Sequence, residues 1–340
     1  MQVRCAFVLA AALTLIAPLS GQAQENVADF YKNKQMTLMV GSGPGGGYDT
    51  LGRAVARHYG KQIPGNPTFI VQNMPGAGSI TMTRHVYSIA PKDGSVIGVG
   101  NNAMPTAPLL YPDQAKFDAT RISWIGGPSR DAMVVLVWHT APVQSIDELY
   151  TKELIVGGSG RGSAPVDYAL IANEVLGTKF KLISGYNGTS AVDLAMERGE
   201  VQGNAGLGWV SAKTRNTELI AAGRAKIIAQ YGFKQHPDLP NVPLFKLPDN
   251  AADRQMLNIL YARDESGRPF FGPPDMPPAR LAALRQAFQA MLKDPAFVAE
   301  AQKLDLVIEP VSGEDLDALA KKLSETLPEA AERARKILNN

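Results

Sequence analysis

Short apolar runs alternate with amphipathic stretches along the first part of the chain. The runs at 36–40, 68–72 and 95–100 have the length and composition of buried strands. Between them, residues 49–61 and 80–90 place apolar side chains at helical spacing. Glycine-rich residues separate the first two strands from the helices that follow them. This order of strand, glycine turn, helix and strand predicts a parallel sheet with crossover helices.

The same alternation starts again after a proline-rich connection. Apolar runs predict strands at 133–138, 154–157, 180–183, 201–205 and 225–229, and the segments between them predict helices at 145–150, 166–176, 189–198 and 211–222. Four prolines between 236 and 248 predict an extended crossing segment. The C-terminal part predicts helices at 278–292, 295–303 and 313–338 and a strand at 306–309. We therefore expect two α/β units with ligand-binding loops at the carboxyl ends of their strands.

The first residues have the pattern of a secretory signal peptide. Arg4 precedes an apolar stretch at 6–18, and a small-x-small cleavage site ends at Ala23. No later run reaches the roughly 18 apolar residues that a membrane helix needs. Cleavage near Ala23 predicts an exported, periplasmic protein. Cys5, the single cysteine, leaves no intrachain disulfide and no cysteine-based metal site.

Composition excludes several other classes. Hydrophobic residues make up 45% and charged residues 19% of the chain, as in globular proteins, which excludes disorder and coiled coils. The net charge of +2 gives no reason to expect a nucleic-acid partner. The four histidines are scattered and form no metal-ligand motif. We therefore expect no metal ion and no cofactor.

The strongest local motif is the loop between the first strand and the first helix, Gly41-Ser42-Gly43-Pro44-Gly45-Gly46-Gly47-Tyr48-Asp49. It contains G-x-G-x-x-G, but a dinucleotide site needs an acid about 20 residues further on, and none occurs between Asp49 and Asp93. It also lacks the G-K-[ST] ending of a phosphate-binding Walker loop. What remains is a set of backbone N–H groups at a helix N-terminus, which suits a carboxylate or a phosphate.

Three further loops share this character. They lie at 73–79, 157–164 and 185–190, so each half of the chain contributes two such loops. Five basic residues and no acid occur between residues 50 and 92, which favours an anionic ligand. Tyr48 and Tyr186 each stand in one of these loops and are candidates for a pocket wall. We therefore expect an anion to be held between the two halves.

The order of these motifs resembles one family. The chain has G-P-G-G-G-Y-D at 43–49, V-Q-N-M-P-G-A-G at 71–78 and A-P-K-D-G at 90–94, followed by G-Y-x-G at 185–188 and L-P-x-V-P at 239–243. This order closely resembles the periplasmic substrate-binding receptors of tripartite tricarboxylate transporters, the Bug-type family. The resemblance extends over about residues 30 to 335.

The resemblance implies a two-lobe periplasmic binding-protein fold of type II. It is an α/β fold with mainly parallel sheets, flanking helices and an interlobe cleft. Lobe 1 would comprise residues 25–132 plus 237–340, and lobe 2 residues 133–236. Such a receptor is not an enzyme. It captures a small organic carboxylate and delivers it to integral membrane transporter subunits, and we expect it to be a monomer.

The resemblance also implies the ligand-binding residues. In lobe 1 these are Gly45, Gly46, Gly47, Asp49, Gly76, Ala77, Gly78 and Ser79, and in lobe 2 they are Gly162, Ser163, Tyr186, Gly188, Asn204 and Ala205. Tyr48 joins the predicted ligand-binding residues because of its place in the first glycine loop. The sequence departs from the family in lobe 2. Val166 and Asp167 lie where a histidine is common, and Asn204 replaces a common aspartate. The identity of the carboxylate therefore does not transfer.

Two other functions stay open at this stage. A sensory receptor for a membrane signalling partner would bind its ligand with the same chemistry. A secreted hydrolase or isomerase could use Asp49 or a loop serine, although the chain lacks a G-x-S-x-G motif and places no histidine near these serines.

Overall fold

The computed structural model describes residues 26–304 and 306–339. The predicted signal peptide at 1–23 lies outside this range. The strands are β1 (Gln35–Val40), β2 (Thr68–Asn73), β3 (Val96–Val99), β4 (Ser123–Gly127), β5 (Met133–Trp138), β6 (Leu154–Gly158), β7 (Phe180–Ser184), β8 (Gly203–Gly208), β9 (Ala225–Gln230), β10 (Phe270–Gly272) and β11 (Val311–Ser312).

Helices connect and cover these strands. They are α1 (Val27–Tyr31), α2 (Gly47–Tyr59), α3 (Ile80–Ser88), α4 (Ala107–Leu110), α5 (Pro112–Ala115), α6 (Ala164–Ile171), α7 (Thr189–Glu197), α8 (Trp209–Arg215), α9 (Thr217–Ala221), α10 (Ala251–Ser266), α11 (Pro278–Met291), α12 (Pro295–Lys303), α13 (Gly313–Ser324) and α14 (Pro328–Asn339). Within the described ranges, none of these helices is both long and apolar enough to cross a membrane.

The strands form two sheets, which confirms the predicted α/β fold. The first has six strands in the order β11-β4-β10-β3-β1-β2, and the second has five in the order β7-β6-β8-β5-β9. Each sheet is mixed rather than mainly parallel, because β5, β10 and β11 pair in the antiparallel direction. β1 runs parallel to β2 and β3, and β6 runs parallel to β7 and β8. The remaining pairs, at β10, β11 and β5, are antiparallel.

The parallel half of each sheet positions the glycine loops. In a strand–loop–helix unit the loop leaves the carboxyl end of the strand, so neighbouring parallel strands bring their loops to one edge. β1 and β2 have buried or half-buried side chains over most of their length, and β5 is buried throughout. The cores on both faces of the sheets fix this edge in place.

Several element boundaries differ from the sequence prediction. The predicted strand at 306–309 is wrong, because pairing with β4 occurs at β11 and Glu309 forms only an isolated bridge. The predicted helix at 211–222 is divided at Asn216, and the one at 313–338 is divided before Pro328. Proline lacks an N–H donor and clashes with a preceding helical turn, which explains the second break.

A buried ion pair joins the two halves of the molecule. Nη2 of Arg263, in α10, donates to Oδ2 of Asp167, in α6, at 2.6 Å, and both side chains are fully buried. The hydroxyl of Tyr111 and the N–H of Gly162 donate to the other carboxylate oxygen of Asp167. Helix α14 also packs against α6. The loop that contains Gly162 is therefore anchored to elements that follow and precede the second sheet.

We predict that Asp167→Asn lowers the free energy of unfolding by about 3–5 kcal/mol, because it leaves Arg263 as an uncompensated buried charge. Chemical denaturation measures this loss. The double variant Asp167→Asn/Arg263→Met should recover part of it, since no lone charge remains. The control is Glu153→Gln, which breaks an exposed ion pair with Lys181. A loss no larger than that of the control would contradict the prediction.

Candidate functional site

A cavity of about 450 Å³ lies between the two sheets, where all four predicted glycine loops meet. Its volume falls in the range of small-molecule sites, roughly 300–1,000 Å³. A larger groove of about 730 Å³ lies elsewhere, on the outer side of α2 and β2. No residue of the four glycine loops lines this groove. The convergence of the loops identifies the inner cavity as the candidate site.

The structure brings most of the predicted site residues to this cavity. Those that line it are Gly46, Gly47, Tyr48, Gly76, Ala77, Gly78, Ser79, Ser163, Tyr186 and Gly188. The lining does not include Gly45, Asp49, Gly162, Asn204 or Ala205. Asn204 and Ala205 are fully buried in β8, where Oδ1 of Asn204 accepts the N–H of Gly206.

Three helices of eight or more residues begin at the cavity wall without a side-chain cap. α2 starts after Gly46, α6 after Ser163 and α7 after Gly188, and none of these residues caps its helix with a side chain. Within the described part of the chain, no group accepts a hydrogen bond from the N–H of Gly47, Tyr48, Ala164, Thr189 or Ser190. These free donors and the positive ends of the helix dipoles favour an anion in the cavity.

Asp49 shapes the first glycine loop from behind the cavity wall. Its Oδ2 accepts the N–H of Gly45 at 2.9 Å and Nε of Arg53 at 3.0 Å, while Oδ1 accepts Nδ2 of Asn73 at 2.8 Å. Burial acts to raise the pKa of Asp49, but these hydrogen bonds outweigh it and lower the pKa. Asp49 is therefore a fixed carboxylate that positions the loop, and it does not cap α2 as the N-terminal residue.

The second and third loops touch each other across the cavity mouth. Gly78 has φ +58°, and a Cβ at this position would lie 2.7 Å from the carbonyl oxygen of Gly162. Nδ2 of Asn101 also donates to that oxygen, at 3.4 Å. Glycine is required at residue 78 both by the backbone conformation and by this close approach. The two halves are thus in contact around the cavity.

The second half supplies a polarised hydroxyl. Nη1 of Arg215 donates to Oγ of Ser190 at 2.6 Å, while Nη2 pairs with Asp193 at 2.6 Å. Because Oγ of Ser190 accepts from Arg215, its own proton is free to donate into the cavity. The hydroxyl of Tyr186 instead donates to Glu200 at 3.4 Å, so Tyr186 offers mainly its ring to the cavity.

Sequence reasoning missed several polar residues at this site. Asn101, Asp131, Arg161 and Arg215 all line the cavity. Arg268 lies directly behind its wall, 2% exposed, where its guanidinium donates to the carbonyl of Gly47 at 3.4 Å and to Ser211 at 3.1 Å. Asn101 could have been found, because it follows the carboxyl end of β3. Arg161 lies in the predicted glycine loop at 157–164, although the sequence did not mark it as a site residue. Asp131, Arg215 and Arg268 stand in segments without a motif.

The described residues contain no cluster of three or more His, Cys, Asp or Glu side chains suited to a metal ion. The chemistry of the cavity is therefore carried by backbone N–H groups, hydroxyls, amides and a few charged side chains. Such an arrangement binds and orients an anion.

Comparison with known proteins identifies one family. The sequence profile of the tripartite tricarboxylate transporter family receptor, TctC, matches residues 51–332. A UPF0065 protein of Bordetella pertussis is 29% identical over 282 residues, which cover 80% of this chain and 80% of that protein.

Two solved structures share the fold. The periplasmic binding protein BugD superposes with a TM-score of 0.67 at 22% identity, covering 90% of this chain and 98% of that one. MatC of Rhodopseudomonas palustris, solved with bound malate, has a TM-score of 0.67 at 20% identity, covering 90% of this chain and 99% of that one. At these identities the likeness shows the fold alone.

We predict that Asp49→Asn lowers the free energy of unfolding by about 1–3 kcal/mol at neutral pH, because it weakens charge-assisted hydrogen bonds. Since folding lowers the pKa of Asp49, its contribution is complete above the unfolded pKa of about 4 and is lost as the pH falls through the folded pKa. Denaturation of both proteins between pH 3 and 8 measures this difference. Asp249→Asn, at an exposed position, is the control. A difference that grows below pH 4 would contradict the account.

Proposed function

The chain belongs to the tripartite tricarboxylate transporter receptor family, and from this premise we propose that it captures a small organic carboxylate in the cavity between its sheets. Members of this family are periplasmic substrate-binding receptors and not enzymes. The hydrolase or isomerase alternative is therefore set aside. Asp49, its candidate base, is engaged in three hydrogen bonds behind the cavity wall.

The convergence of uncapped helix N-termini carries this proposal. The free N–H groups of α2, α6 and α7 point to one cavity and come from both halves of the molecule. A carboxylate has two oxygens that can accept several such donors, and the helix dipoles stabilise its charge. The malate bound by MatC, a protein of the same fold, supports a carboxylate rather than a phosphate.

We assign the ligand contacts to the predicted residues that line the cavity. Gly46, Gly47 and Tyr48 would hold the carboxylate from one side, with residues 76–79 beside them. Ser163, Tyr186 and Gly188 would face it from the other side, and Thr189 and Ser190 join them because of their free N–H groups. Gly45, Asp49 and Gly162 act indirectly, by shaping the loops.

Capture by this protein would involve closure of two lobes. We propose that residues 25–132 plus 237–340 form lobe 1 and residues 133–236 form lobe 2, each built on one of the sheets. The contact between Gly78 and Gly162 is then a contact between lobes. A ligand stabilises the closed arrangement only as far as it binds the closed form more tightly than the open form.

The loaded receptor would deliver its ligand to integral membrane transporter subunits. We propose that it works in the periplasm as a monomer after cleavage of the signal peptide near Ala23. Free backbone donors allow this task, because they can release the anion when the lobes separate and water replaces the protein contacts.

Thermal unfolding against a panel of mono-, di-, tri- and aromatic carboxylates tests this function. A ligand at 100 times its Kd adds about 2.7 kcal/mol to the stability of the native state. We expect at least one acid to raise the midpoint by several degrees while its amide or ester does not. If no acid shifts the midpoint of folded, ligand-free protein, the proposed function is wrong.

We predict that Gly46→Asp weakens carboxylate binding at least about tenfold more than Gly46→Asn, because it places a like charge beside the anion. Gly46 has φ −79°, and a Cβ there would meet its nearest neighbour, the carbonyl oxygen of Gly43, at 3.6 Å. Both side chains are therefore accommodated by the fold. Calorimetry with the acid found above measures the two affinities. Equal affinities in the two variants would show that the carboxylate does not bind beside this loop.

A further inference from the structure

Asp131 is an acidic side chain on the wall of a cavity that otherwise attracts anions. It follows β4, where the chain crosses from the first sheet to the second, and its N–H donates to the carbonyl of Asp264 at 3.3 Å. Among the described residues that line the cavity, it is the one acid, alongside Arg161 and Arg215. A site for a simple anion gains nothing from a carboxylate at this position.

Contacts with the N-terminal end of α8 hold this carboxylate at the cavity wall. Its Oδ1 accepts the N–H of Val210 at 3.0 Å, in the first turn of α8. Its Oδ2 lies against Gly208, where a Cβ would be only 2.4 Å away. Gly208 lines the cavity as well, so the missing side chain makes room for the carboxylate at the wall.

Two basic side chains, those of Arg268 and His236, act on Asp131 electrostatically, and neither forms an ion pair with it. Burial raises the pKa of Asp131, and the charge of Arg268 and the N–H of Val210 oppose this rise. The N–H groups of Val210 and Ala132 bond to this carboxylate, but a desolvated carboxylate without a paired cation is costly. A donor group on a ligand would supply a further partner.

This carboxylate also lies near the free N–H groups of α2. Gly208 and Ser211 belong to the same first turn of α8, and Oγ of Ser211 is 3.6 Å from the position that a Cβ on Gly47 would take. The acid and the start of α2 thus both lie against the first turn of α8 and both line the cavity. This proximity suits two neighbouring groups on one small molecule.

We propose that Asp131 binds a hydrogen-bond-donating substituent, an ammonium or a hydroxyl group, carried by the carboxylate ligand next to its carboxylate. This inference rests on the proposed function, because the free N–H groups hold the carboxylate of the same molecule. The charge of Asp131 repels a second carboxylate at this point and attracts a donor. The site therefore selects 2-amino or 2-hydroxy acids over unsubstituted acids of the same length.

Matched acids that share a carbon skeleton test the selection. Calorimetry gives the Kd of succinate, malate and aspartate, of glutarate, 2-hydroxyglutarate and glutamate, and of propionate, lactate and alanine. In at least one series we expect the amino or the hydroxy acid to bind about tenfold or more tighter than the unsubstituted acid. The relative affinities of the amino and hydroxy members distinguish an ammonium from a hydroxyl.

Asp131→Asn removes the charge but keeps an oxygen that can accept the N–H of Val210. We expect it to reduce the preference to less than about threefold, since the charge-assisted bond is lost. Gly208→Ala keeps the carboxylate but displaces it, so it should also reduce the preference for substituted acids. This second variant provides the test if Asp131→Asn does not fold. The matched control is Asp294→Asn, because Asp294 caps α12 away from the cavity by accepting the N–H of Ala296.

The outcomes separate this inference from the proposed function. If the unsubstituted acids bind as tightly as their amino and hydroxy counterparts, the role of Asp131 is wrong while the receptor function stands. If the preference survives both Asp131→Asn and Gly208→Ala, another group makes the selection and the inference is again wrong. If no acid of these series binds but another acid of the wider panel does, this inference is wrong and the receptor function stands; if no acid of the wider panel binds, both are wrong.

Discussion

The first N–H groups of a helix have no acceptor within the helix, and this protein collects such groups from α2, α6 and α7 around one cavity. These donors face a partly enclosed cavity, where water or an anionic ligand can accept their hydrogen bonds. The carboxyl edges of the two sheets, the glycine loops and the contacts between the halves all serve to hold these donors in place. If the anion is recognised by these backbone groups, as proposed, arginine is not needed as its principal contact.

In both halves an aspartate in the first turn of a helix binds the N–H of a loop glycine and pairs with an arginine. Asp49, in the first turn of α2, accepts the N–H of Gly45 and pairs with Arg53. Asp167, in the first turn of α6, accepts the N–H of Gly162 and pairs with Arg263. In each case an aspartate that does not line the cavity restrains a glycine-rich loop, whose backbone is conformationally permissive. The second aspartate is also one of several points of contact between the two halves.

Much of the fold followed from local pattern. β5 was predicted to the residue because six consecutive apolar residues at 133–138 form a strand buried on both faces. β10 has three residues and α10 is buried around most of its circumference, so neither produces a periodic pattern. The glycine loops could also be predicted from the sequence, because each loop, like each strand, is one continuous stretch of residues. Asp131 and Arg268 reach the site from separate segments, and only the tertiary structure brings them to it.

The most direct test of this account is a crystal structure of the protein with a bound carboxylate. The account predicts that the carboxylate oxygens lie within hydrogen-bonding distance of the backbone nitrogens of Gly47 and Thr189, between the two sheets. A carboxylate held chiefly by arginine side chains, with those nitrogens unoccupied, would contradict it. So would a ligand bound in the outer groove beside Arg57 and Lys61.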